Sequence, residues 1–200
     1  NIQEILEYAL NKGFDETNAK SANGIIVDPK NGEIIAAASI PSYNPNKYNE
    51  YDLEYYRNKV FSDAYEPGSI YKIVPVAAAL EENIISLSDS IYCENGKYQL
   101  TKKYPIHDHE PHENLTLSQI FYYSSNIGIS KISQHLGDKA IYKFSRNFGF
   151  GIKTGLNVPH ESPGILSNYP DWEYDSSTQV SMGQEVTATT IQLAMAYSVI

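Results

Sequence analysis

Glu66-Pro67-Gly68-Ser69-Ile70-Tyr71-Lys72 is a proline-glycine turn that leads directly into an apolar segment, Ile73 to Leu80. The turn predicts a helix that begins near Ser69 and runs to about Asn83, kinked or irregular at its start because Pro75 lies inside it. Ser69 then stands in the first turn, where free backbone N–H groups and the positive end of the helix dipole stabilise a developing anion. Lys72 is three residues further on and shares its face. If apolar neighbours desolvate the ammonium, its pKa falls and the neutral amine can take the serine proton. That chemistry near pH 7 asks for a fall of roughly three units from the ~10.4 of free lysine. Ser-x-x-Lys alone is short and common, and taken by itself it reads first as a capping serine beside an unrelated surface lysine.

Working outward, Gly24 to Asp28 and Glu33 to Ser39 read as two strands. Asp28-Pro29-Lys30-Asn31-Gly32 carries turn chemistry between them, which makes a β-hairpin. Asn1 to Leu10 reads as an amphipathic helix, and Pro41 to about Asp63 as a polar, tyrosine-rich loop. Ile91 to Ile106 is a second polar region with a turn at Asn95-Gly96. Thr116-Leu117-Ser118-Gln119 and Thr189-Thr190-Ile191-Gln192 match the capping box that opens a helix. The first predicts helix towards Gly137. Asp138 is then expected to cap a short helix ending near Phe148, with loop to about Ser176. Strands come first and helices dominate later without βαβ alternation, so the fold class expected is α+β with an antiparallel sheet. Residues 1–200 read as one domain cut from a longer protein, since the chain starts without methionine and both end helices look truncated.

Ser124-Ser125-Asn126 lies in the predicted helical stretch, where serine and asparagine compete for backbone hydrogen bonds. Such a triplet can break a helix and aim a hydroxyl and an amide into a cleft. Ser124 could relay a proton, and Asn126 could hold both the lysine and a substrate carbonyl. Two polar residues on a solvated helix face are the plainer reading of the triplet alone.

Together the two motifs resemble those of the penicillin-binding proteins and serine β-lactamases. The resemblance extends along nearly the whole chain, through "VDPKNGEIIAAASIPSYNPN", "YEPGSIYKI", "LTLSQIFYYSSNIGISKI", "FGFGIKTGLNVPHE" and "SMGQEVTATTIQLAMAYSVI". The later segments look like class B enzymes, the monofunctional transpeptidases of division, elongation or sporulation. The resemblance implies the penicillin-recognising fold, an antiparallel sheet flanked by helices. It also implies acyl transfer from a D-Ala–D-Ala stem peptide of peptidoglycan, inhibited by β-lactams. Ser69 would be the nucleophile, Lys72 its base, Ser124 the relay and Asn126 the orienter, with no cofactor or metal. A membrane anchor before this segment, location outside the cytoplasmic membrane, and a glycosyltransferase among the partners are further expectations. A serine β-lactamase and a β-lactam sensor remain alternatives; fast release of hydrolysed penicillin marks the first, and fusion to a signalling region the second.

Departures from the family pattern fall in loops. The third motif, Lys-Thr-Gly or Lys-Ser-Gly on a strand, is expected after Ile200. Lys153-Thr154-Gly155 imitates it but sits in a turn where the family has a non-catalytic Thr-Gly. Glu185 and His160 replace frequent glycines, and Thr190 a frequent proline.

Composition narrows the rest. A net charge of −9 without a Lys/Arg cluster disfavours nucleic acid as a partner. Cys93, the single cysteine, has no partner for an intrachain disulfide and reads as a buried thiol. No apolar run reaches the ~18 residues of a membrane span. His107-Asp108-His109-Glu110-Pro111-His112-Glu113 is rich in metal-binding types, but proline interrupts it and no regular element aligns the ligands. His135 reads as a surface residue that complements a helix C-terminus.

Overall fold

The computed structural model describes residues 1–102 and 104–200. In chain order the helices are α1 (Ile2–Thr17), α2 (Lys59–Ser62), α3 (Ile73–Glu81), α4 (Leu117–Tyr122), α5 (Asn126–Leu136), α6 (Asp138–Asn147), α7 (Ser176–Ser181) and α8 (Thr190–Tyr197). The strands are β1 (Ala22–Val27), β2 (Ile34–Ile40), β3 (Ser90–Tyr92), β4 (Lys97–Gln99), β5 (Pro105–His107), β6 (Asn114–Thr116), β7 (Ile165–Leu166) and β8 (Val186–Thr187). They pair antiparallel as β1 with β2, β3 with β6, β4 with β5, and β7 with β8. The expected α+β character holds. The polar region from Ile91 to Ile106, however, hides short strands whose few residues give no alternation to read.

The chain divides into two compact units. The first comprises Asn1–Tyr65, Gly149–Gly164 and Ala188–Ile200. Its hairpin β1–β2 is the one expected from the Asp28–Gly32 turn, closed by Asp28 N donating to Glu33 O at 2.8 Å. Helix α1 lies across it, and Gln3 acts as a surrogate strand residue: its amide donates to Ala37 O and accepts from Ala37 N, both at 3.0 Å. That pairing occupies β2 backbone groups that would otherwise lie bare. Val60, Phe61 and Ile191 form the buried centre, with Ile25, Val27, Ile34 and Met195 packed against them. The capping box at Thr189 opens α8 as expected. The region read as a structureless loop contains two 3₁₀ segments and the short α2.

The second unit comprises Glu66–Phe148 and Ile165–Thr187. Its core gathers Val76 and Ala79 of α3, Leu117 and Ile120 of α4, and Ile127, Ile129 and Ile132 of α5, with Cys93, Ile106 and Leu115 from the strand segments. Helix α5 is buried on every side over its first turn, from Ile127 to Ser130. A Cβ at Gly128 would lie 2.7 Å from Ile120 Cγ1, so glycine there lets α4 and α5 approach. Two boundaries differ from expectation. Gly137, not Asp138, is the N-cap of α6, and no side-chain cap bond forms there. Helix α7 had no signal, because its serine- and threonine-rich sequence has low helix propensity and is held by burial.

Candidate active site

The segment from Gly68 to Lys72 is a 3₁₀ turn, and the α-helical ladder starts only at Ile73. This is the irregular start expected from Pro75, which occupies the third position of α3, where no intrahelical N–H is needed. The 3₁₀ geometry matters for the site. At three residues per turn, positions i and i+3 eclipse, so Ser69 and Lys72 lie on one edge. Ser69 is exposed, whereas Lys72 is 1% exposed.

Gly183 backs the turn from behind. Its carbonyl accepts from Gly68 N at 3.0 Å, and a Cβ at Gly183 would lie 2.1 Å from Gly68 O. With φ at +79°, only glycine fits there. Glu66 Oε1 accepts from Glu185 N at 3.1 Å. Glu185 itself has φ of +55° and His160 of +60°, so both replace a frequent glycine at a left-handed position. Thr190 is the first residue of α8, a place suited to proline but open to other residues. The three departures from the family pattern are therefore local and geometrically accommodated.

The triplet Ser124-Ser125-Asn126 does break the helix. Ser124 takes φ of +56°. Ser125 N donates to Ile120 O at 2.9 Å and Ser124 N to Phe121 O at 3.2 Å, the two bonds of a Schellman ending with serine where glycine is usual. Such a left-handed residue costs on the order of 1–2 kcal/mol, strain of the kind held at functional sites. Ser125 then caps α5, its Oγ accepting from Gly128 N at 2.9 Å.

Lys72 Nζ meets this turn. It donates to Ser124 O at 2.6 Å, Ser124 Oγ at 2.9 Å and Asn126 Oδ1 at 2.7 Å, which employs all three ammonium hydrogens. Asn126 Nδ2 donates to His107 O at 2.9 Å, which fixes the amide orientation and leaves its second N–H. Burial lowers the Lys72 pKa from 10.5 to about 8, against an opposing pull from the Asp108 carboxylate. The shift corresponds to roughly 3 kcal/mol disfavouring the charged form.

Asp108 is the residue that sequence reasoning passed over. Its Oδ2 accepts from Ser125 Oγ at 2.6 Å and its Oδ1 from Ile127 N at 3.0 Å, so it pins the turn to β5 and the following loop. It lies in the histidine-rich stretch weighed as a metal site and set aside, and nothing local marks a bond that spans 17 residues. Cys93 is buried beside the same turn, with Ser125 Oγ 3.7 Å from its Sγ, and burial raises its thiol pKa. Thr154, in the first unit, donates through its backbone N–H to the buried Glu161 at 2.6 Å, and Gly155 takes φ of +87°, the geometry of a loop anchor. His135 ends α5 exposed, its Nδ1 2.7 Å from Lys131 O.

This arrangement of helices and antiparallel pairs around a Ser-x-x-Lys turn is that of the penicillin-recognising fold. Residues 23–200 match the penicillin-binding protein transpeptidase domain. The chain belongs to that family. It is 33% identical over 198 residues to a probable peptidoglycan D,D-transpeptidase PbpC of Pseudomonas aeruginosa, covering 99% of this chain and 35% of that protein. Identity to the peptidoglycan D,D-transpeptidase FtsI of Escherichia coli K12 is 30% over 204 residues, covering 100% of this chain and 33% of that protein. The transpeptidase domain of Burkholderia pseudomallei penicillin-binding protein 3 superposes with a TM-score of 0.87 at 25% identity, covering 98% of this chain and 55% of that one. The chain thus spans about a third of the length of the curated relatives it matches.

Proposed function

We propose that the protein containing this chain cross-links peptidoglycan as a D,D-transpeptidase, with Ser69 as nucleophile and Lys72 as general base. The observation that carries the reading is the buried Lys72 amine, held by Ser124 and Asn126 and eclipsed with Ser69 in one 3₁₀ turn. Ser69 Oγ attacks the carbonyl carbon of a D-Ala–D-Ala bond as Lys72 Nζ takes the hydroxyl proton. The backbone N–H of Ser69 supplies one donor to the oxyanion. Collapse breaks the amide, the departing D-Ala amine takes the proton, and the acyl group remains as an ester on Ser69. A second stem's amine then attacks the ester, forming the cross-link and returning a proton to Ser69.

Of the three acceptors around Lys72, only Ser124 Oγ can also donate; the two carbonyl oxygens cannot. Proton passage between Nζ and the leaving amine therefore runs through Ser124. Asn126 carries no counter-charge, so it holds the amine without the Coulombic pull a carboxylate would add. Residues 1–200 form the transpeptidase domain in this reading, with its third motif following Ile200. The reading also sets the intact protein in the cell envelope, anchored on the outer face of the cytoplasmic membrane, where β-lactams inhibit it and a glycosyltransferase supplies glycan strands.

Incubating the full-length protein with labelled penicillin and mapping the adduct tests the assignment. A stable label on Ser69 is expected. A label elsewhere, or acylation that survives Ser69→Ala, overturns it.

A further inference from the structure

Ser125 stands between the two residues that hold the lysine amine, yet its own side chain bonds elsewhere. Its Oγ accepts from Gly128 N at 2.9 Å, which leaves its one hydrogen for an acceptor, and Asp108 Oδ2 lies at 2.6 Å. The Cys93 sulfur, at 3.7 Å, is a weaker acceptor at longer range. The shorter separation is that of a hydroxyl bonded to an ionised carboxylate. Asp108 Oδ1 accepts from Ile127 N at 3.0 Å. Each carboxylate oxygen is thus held by a donor at the start of α5, and Ser125 is only 2% exposed.

Asp108 nevertheless lies near enough to Lys72 for its charge to favour the ammonium. A carboxylate that meets a buried amine becomes its counter-ion, and the pair keeps the lysine protonated. Here the three bonds of Lys72 go to uncharged oxygens instead. The two groups attach to alternate residues of one turn. Lys72 takes Ser124 and Asn126, and Asp108 takes Ser125 and Ile127. The other titratable side chains about the carboxylate, among the described residues, are the Cys93 thiol beside Ser125 and His109, Glu110 and His112 on its own loop.

We propose that Ser125 is a positioning residue for acyl transfer: its hydroxyl holds the Asp108 carboxylate against α5 and so keeps it from pairing with the Lys72 amine. The proposal rests on the transpeptidase reading above, in which Lys72 must give up a proton. Without the hydroxyl, the carboxylate is free to turn about its remaining bond to Ile127 N and meet the amine. The base is then lost although Ser69, Lys72, Ser124 and Asn126 are all still present.

The test is the pH dependence of penicillin labelling in the full-length protein and its Ser125→Ala variant. The native midpoint is expected near 8. Ser125→Ala should raise it by about one unit or more, the effect of an opposite charge in contact, and so cut labelling at pH 7 roughly tenfold. Adding Asp108→Asn removes the charge and should return the midpoint to the native value or below. A serine that only caps α5 would slow labelling and leave the midpoint in place. That result, or a raised midpoint that Asp108→Asn does not reverse, overturns the proposal. Circular dichroism checks each fold. If loss of the cap unfolds Ser125→Ala, then Asp108→Glu decides, since it keeps the cap and carries its carboxylate one methylene further. A raised midpoint is expected there too, and an unchanged one overturns the proposal. A native protein that labels at Ser69 while the variants keep its midpoint loses only the role of Ser125. One that takes no label loses that role together with the transpeptidase reading.

Discussion

Lys72 Nζ donates to Ser124 Oγ at 2.9 Å, a bond between residues 52 apart in the chain. It joins the turn that carries Ser69 to the broken helix that carries Asn126. It is also the one bond of the lysine whose direction can reverse when the amine loses a proton. The mechanism proposed here depends on that reversal.

Lys72→Arg should keep the fold and lose acylation, because guanidinium stays charged at any pH the protein survives. A drop of about 10²–10⁴-fold in the rate of penicillin labelling is expected, the usual contribution of a general base. Circular dichroism checks the fold. A near-normal rate would remove lysine from the role of base.

The pH–acylation profile should rise with a midpoint near 8, where the buried Lys72 loses its proton, and not near 10.5. At pH 7 that shift makes the neutral fraction roughly 300-fold larger than in free lysine. Asp108 pulls the other way, favouring the ammonium. Asp108→Asn should therefore move the midpoint to lower pH, while slowing acylation because the bond from Ile127 N or Ser125 weakens. Labelling rates across pH 5–10 for both proteins, on the order of one point per half unit, decide this.

Gly183→Ala should be damaging far beyond its size. The added methyl would meet Gly68 O at 2.1 Å in a left-handed backbone. A stability loss above about 2 kcal/mol is expected, since backbone cannot yield as a flexible side chain would. Chemical denaturation measures it, and slowed labelling of Ser69 should accompany it.

Lys153→Ala should leave the labelling rate within about threefold of the native value, as for an exposed loop change. A loss of several decades would mean that Lys153-Thr154-Gly155 serves the chemistry after all.

The elements easiest to read ahead of the structure were those signalled within one turn. Asp28 to Gly32 closes a hairpin, and Thr116 and Thr189 open helices through capping boxes as their spacing demands. The short strands β3 to β8 were not legible, because two or three residues cannot display a period. Helix α7 was missed for the converse reason: its composition opposes a helix that burial enforces. Asp138 looked like a cap from its residue type, yet Gly137 takes that position with φ of +75°.

From the sequence alone came the pairing of Ser69 with Lys72 on one edge and the interruption of a helix at Ser124, since both rest on interactions among near neighbours along the backbone. Only the tertiary structure decided what surrounds the amine. The bonds from Lys72 to Ser124 and Asn126, the anchoring of Ser125 by Asp108, and the bond from Glu185 to Glu66 span from 17 to 119 residues. No local propensity encodes such separations. They arise when α3 and α5 bury their apolar faces in one core, and that burial strips water from Lys72 and lowers its pKa.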